Sequence, residues 1–155
     1  MKGIKMTFQS DFETVAGTKL YVCAVRPATD TVAAYAALTW VEVGELTNVG
    51  GVKGREYSTS TASVVGNAQD REKKSSWKLP NAEFECLWVE EDAGQIIIEA
   101  ASKDNSIPAF KLEKQGGGLR YLTAQVLKFV ENLGTSNDTV KGAFTLLRQS
   151  DTLTA

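Results

Sequence analysis

Leu38-Thr39-Trp40-Val41-Glu42-Val43-Gly44-Glu45-Leu46-Thr47-Asn48-Val49-Gly50 is the stretch whose reading decides the fold. Valine, threonine and tryptophan suit a pleated, half-buried surface, and the glycines punctuate its tail, so it reads as a β-strand. Its two faces are mixed. Val41, Val43 and Val49 point one way, and Trp40, Glu42, Gly44 and Leu46 point the other. A strand buried against one core separates polar from apolar residues more cleanly than this. The pattern suggests a strand committed to two surfaces, its own core and a neighbouring subunit.

Upstream, Thr18 to Val25 is strand-like, and Arg26-Pro27 ends it because proline cannot continue a central strand. Asp30 is placed to cap a short helical turn over residues 32–37. Downstream, residues 51–76 read as a long loop, with Gly50-Gly51, Gly54 and Gly66-Asn67 as turn chemistry and a charged run from Asp70 to Lys74. That segment is either a solvated hairpin arm or an interaction arm that orders on assembly. Ala82 to Glu90 is a strand with Phe84, Cys86 and Trp88 on one face. Asp92-Ala93-Gly94-Gln95 matches a capping box and opens a helix to about Ser102, with Ala93, Ile96, Ile97, Ala100 and Ala101 as its apolar stripe. Residues 107–112 form a short strand, Gln115-Gly116-Gly117-Gly118 a turn, residues 120–132 the longest strand, and residues 140–148 the last, with Val140, Phe144 and Leu146 inward. The chain thus divides into an arm (1–17), one β domain (18–148) containing the long loop, and a small polar tail (149–155).

Composition narrows the function. The 155 residues fit one domain, and 43% hydrophobic residues suffice for a core. The net charge of −2 supplies no overall basic field for nucleic acid. The chain has no histidine, which removes the commonest general base and metal ligand. Cys23 and Cys86 each sit in a strand-like run and read as small buried hydrophobes; a bridge between them requires the two strands to lie close. The N-terminal residues contain no apolar block, so no secretory signal is expected, and residues 32–38 are too short an apolar run for a membrane span. Glu90-Glu91 and Glu83/Glu85 are explained by a helix start and a polar strand face rather than by acid–base catalysis. Asp11 with Glu13, or Asp70 with Glu72, lacks the spacing of a calcium loop. Trp40, Trp77 and Trp88 read as core or interface anchors before a sugar platform. The reading is a non-enzymatic protein with no cofactor and no metal.

Gly17-Thr18-Lys19-Leu20-Tyr21-Val22, Leu38 to Glu45, Gly54-Arg55-Glu56-Tyr57, the Asp92-Ala93-Gly94-Gln95 helix start, and Tyr121 to Val126 with Asn132-Leu133-Gly134 occur in this order. Together they resemble the siphophage tail-tube family, of which the lambda-type major tail protein is a member. The resemblance covers about residues 17 to 148; the immunoglobulin-like domain that some members add is not expected in a sequence of this length. It implies a mainly β fold, a β-sandwich or half-barrel with one flanking α-helix. It further implies hexameric rings that stack into a hollow tube in the virion tail, assembled in the host bacterial cytoplasm. The implied partners are the protein itself, a tape-measure protein and tail-tip or terminator proteins, with DNA present only in transit. On this resemblance Glu42, Glu83, Glu85, Gln125 and Lys141 are candidates to face the lumen. Trp40, Arg55, Glu56, Tyr57, Arg71 and Lys73 are candidates for contacts between subunits. Two alternatives stand beside it: the ring-forming tube protein of a contractile injection or secretion machine, and a monomeric carbohydrate-binding β-sandwich.

Overall fold

The computed structural model describes residues 13–155; most of the expected N-terminal arm, Asp11 included, lies outside the described residues. Two helices and ten strands follow in the order β1 (Lys19–Cys23), α1 (Val32–Ala36), β2 (Val41–Val43), β3 (Leu46–Asn48), β4 (Glu56–Val64), β5 (Asn67–Lys78), β6 (Ala82–Leu87), α2 (Ala93–Ser102), β7 (Ala109–Glu113), β8 (Leu119–Asn132), β9 (Lys141–Arg148) and β10 (Leu153–Thr154). No helix among the described residues is long and apolar enough to cross a membrane.

The deciding stretch is two strands and not one. Glu45 sits between them at φ 62°, in the left-handed region that ends a strand. β2 pairs with β1, while β3 pairs with β6. Mixed faces had signalled two commitments; the break at Gly44-Glu45 gives each half its own partner within the chain. Thr31, rather than Asp30, caps α1: its hydroxyl accepts from Ala34 N at 3.3 Å. Asp30 instead accepts from the Tyr35 hydroxyl at 3.2 Å.

The main sheet is antiparallel throughout, in the order β2-β1-β7-β8-β9-β6-β3. Its two outermost strands, β2 and β3, are joined by two residues, so the sheet must curl until its ends meet at one corner. β8 makes the curl. Its first half pairs with β7 and its second with β9, and a register shift between Val126 and Lys128 bends it. The result is the mainly β half-barrel with a flanking helix. The expected polar tail is part of it: β10 pairs with Tyr121 and Arg120 of β8, in line with β9.

Leu20, Val22, Phe84, Cys86, Phe110, Leu122, Phe144 and Leu146 fill the concave side of the sheet. The Phe84 and Phe144 rings stack at 5.2 Å. α2 closes the open side, but its buried stripe is Gly94, Gln95, Ile98 and Ala101. Ile98 is fully buried, Ile96 is 50% exposed, and Ile97 packs at the margin. The helix is therefore turned by about one residue from its expected face. Gly94 is the cause: a Cβ there would lie 2.4 Å from the Glu42 carbonyl oxygen, so only glycine lets the helix settle on β2. Val140, expected inward, is 37% exposed because it precedes β9 and stands at the sheet margin. A second cluster of Tyr35, Tyr121, Ala109 and Cys23 covers the convex side of β1, β7 and β8. Both cysteines are buried and unbridged.

Candidate assembly interface

The second half of the sheet, β3-β6-β9-β8, has a convex face that no helix among the described residues covers. Pairing fixes its membership: Glu83 opposes Thr145, Glu85 opposes Ala143, Leu87 opposes Lys141, Gln125 opposes Leu147, and Lys128 opposes Thr145. Residues directly opposite share a face. Four of the five lumen candidates (Glu83, Glu85, Gln125 and Lys141) therefore lie on one surface. Glu42 belongs to the other half of the sheet: it lies on β2 and pairs with Tyr21 of β1. Lys128 joins the face, which regular alternation would not place there, because the bulge at Leu127 shifts the register. Two glutamates and two lysines make the surface polar and nearly neutral.

Among the described residues the same half-sheet has an unpaired edge at each end. Among the described residues β3 pairs with β6 alone. On the other side, β7 reaches β8 only as far as Thr123, so residues 125–132 of β8 pair with β9 alone. Leu127 and Val130 are 51% and 46% exposed along this segment. Unpaired edges with apolar side chains are where sheets join.

Residues 51–76 are not a loop. β4 and β5 form a hairpin that runs on to Lys78, and every residue of both strands is exposed. At about 3.3 Å per residue the longer strand extends roughly 40 Å. Its root is clamped by the C-terminal segment. The buried Arg148 donates to the Gly54 carbonyl at 3.0 Å and to the Thr152 hydroxyl at 2.9 Å. Thr152 in turn donates to the Val52 carbonyl. Arg55 pairs with Asp151 at 2.7 Å and lies 4.1 Å above the Trp77 ring. That carboxylate is held below its usual pKa by the hydrogen bond from Arg55. One sign of the clamp is present in sequence: Arg148 falls on the inward parity of β9 after Phe144 and Leu146, where a charge needs buried partners.

The contact candidates thus separate. Arg55, Glu56 and Tyr57 gather at the arm root, and Lys78 reaches Glu56 at 3.8 Å. Arg71 and Lys73 lie along the arm. Trp40 is occupied inside the subunit: it stacks on Tyr121 at 6.1 Å and donates its indole N–H to the Tyr35 carbonyl. The three tryptophans have three separate settings, with Trp77 under Arg55 and Trp88 against Phe129 at 4.7 Å.

A curled antiparallel sheet with one plugging helix, an uncovered polar face and a projecting hairpin defines the architecture. No family model and no curated protein matches the sequence. Among solved structures, the fold is similar to that of a chain in the cryo-EM structure of the anti-feeding prophage (AFP) baseplate, 6-fold symmetrised. The TM-score is 0.58 at 9% identity, covering 89% of this chain and 90% of that one. At that identity the two share a fold.

Proposed function

We propose that this chain is a ring-forming structural subunit of a phage tail-type machine, and that it works by assembly rather than by catalysis. The half-sheet with an unpaired edge at each end is the observation that carries this reading. The β8 edge of one copy can add to the β3 edge of the next, and a head-to-tail contact that closes makes a ring. The uncovered face with Glu83, Glu85, Gln125 and Lys141 then lines the bore. Four strands per copy at about 4.8 Å, repeated in six copies, trace roughly 115 Å of circumference and a backbone-to-backbone bore of about 37 Å. A nearly neutral lining would let DNA pass without gripping its phosphates. The resemblance in sequence order and the fold shared with a chain of a 6-fold baseplate structure both support a tail-machine setting.

Within this reading the rings stack into a tail tube around a tape-measure protein, in the virion tail, after assembly in the host cytoplasm. The baseplate neighbour also favours a second version, a tube-like ring of a contractile machine. Negative-stain microscopy of concentrated protein tests the proposal. Six-fold rings with a central hole are expected; particles that stay solitary at every concentration, also with tail-tip proteins added, defeat it. A sheath gene beside this one would favour the second version.

A further inference from the structure

The arm has two unlike faces. In its register Ser60 opposes Lys73 and Ala62 opposes Arg71, so one face carries two cations among small side chains. The other face carries both signs: Thr61 opposes Glu72, Ser63 donates to Asp70 at 2.5 Å, and Lys74 lies 4.5 Å above the Tyr57 ring. Among the described residues Arg71 and Lys73 form no ion pair.

The body of the subunit carries a complementary surface. Trp88, Val89, Ile96 and Phe129 line one shallow cleft with Glu90 and Glu99 beside them. Val89 is 39% exposed and Ile96 50%. Trp88 N donates to the Val140 carbonyl, which extends the apolar strip toward the start of β9. Glu90 accepts from the Trp88 indole at 2.9 Å, and neither Glu90 nor Glu91 pairs with a cation among the described residues. This is an apolar strip with Glu90 at its rim and Glu91 next to it in sequence, while Glu99 is paired with Lys103 at 3.7 Å.

We infer that the Arg71–Lys73 face of one copy's arm docks on the Trp88–Ile96–Phe129 strip of another copy, with its cations against Glu90 and Glu91. The inference rests on the self-assembly reading above and names the partner surface for the arm. Small Ser60 and Ala62 let the arm backbone approach the strip, while the opposite face, which carries Asp70 and Glu72, stays in solvent. Opposed charges fix the register and speed the encounter.

Charge exchange tests it. The variants are Arg71→Glu with Lys73→Glu, Glu90→Lys with Glu91→Lys, and all four together. Every altered side chain is exposed, and circular dichroism verifies each fold. Sedimentation velocity measures the concentration at which half the protein is assembled. Each pair alone should raise that concentration about tenfold or more, since like charges then face each other, and the fourfold variant should restore it to within about threefold of the parent. If the Glu90/Glu91 pair is harmless while the parent assembles, the docking site is wrong and the ring reading stands. If the fourfold variant is no better than either pair, the docking site is likewise wrong. If the parent itself never associates, the ring reading falls and this inference with it.

Discussion

The Gln95 side-chain amide donates to the Gly44 carbonyl at 3.2 Å, tying the first turn of α2 to the corner where β2 becomes β3. The same amide donates to the Leu87 carbonyl at 2.9 Å and accepts from Val89 N at 3.0 Å. Asp92 completes the joint, accepting from Gly44 N at 3.2 Å and from Gln95 N at 3.0 Å. Asp92 caps as a capping box requires, but Gln95 does not reach back to it; it holds two neighbouring segments instead. Gln95→Ala would leave three part-buried backbone groups unpaired and should cost about 2–4 kcal/mol, read from urea denaturation. A loss under about 0.5 kcal/mol would show that the corner is held by packing alone.

The rotated face of α2 sets a contrast between Ile96 and Ile98, two residues apart. Ile98→Ala should cost about 2–5 kcal/mol through the cavity left in the core. Ile96→Ala should stay within about 0.5 kcal/mol in the monomer, because its side chain is half in water. Equal costs in a chemical denaturation series would contradict the observed face.

An isolated two-stranded hairpin is marginal in water and adds little to the stability of the domain it leaves. Replacing residues 58–75 by a short turn should therefore leave the melting temperature within a few degrees of the parent while abolishing assembly. A fall of more than about 10 °C would mean that the arm supports the domain as well.

Acid should loosen the arm root. The Asp151 pKa is depressed below its ordinary 3.8 by Arg55, so its contribution is present above that value and is lost as pH falls through the lower folded-state value. The Trp77 indole signal in a nitrogen–proton correlation spectrum should shift in that window and stay fixed between pH 5 and 8. Arg55→Ala should erase the acid transition. A transition that survives the substitution would assign it to another carboxylate.

The thiols should be silent in the folded protein. Burial raises the Cys86 pKa to about 11, and Cys23 is 8% exposed. Neither should react with a thiol reagent at pH 8 until denaturant unfolds the domain. Because the Cys86 value is raised, its contribution to stability is present below about pH 9 and is lost as pH rises through about 11. Rapid native labelling of Cys86 would refute its burial.

The sequence by itself determined the strand character of most elements, the break at Pro27, the glycine turn at 116–118 and the start of α2. These follow from local causes: a fixed proline φ, the freedom of glycine, and a side-chain oxygen three residues from an N–H. It also determined the inward set Phe84, Cys86, Phe144 and Leu146, since alternation along a regular strand needs no distant partner. Only tertiary structure decided that the stretch at 38–50 splits between two partners, because the left-handed turn at Glu45 is held by Asp92 and Gln95 from far along the chain. It alone decided which isoleucine of α2 is buried, through the backbone contact at Gly94. It also turned the polar tail into a clamp for the arm and put Glu83, Glu85, Gln125 and Lys141 on one face. Those arrangements depend on strand order and register, and strand order is set by which edges meet in space.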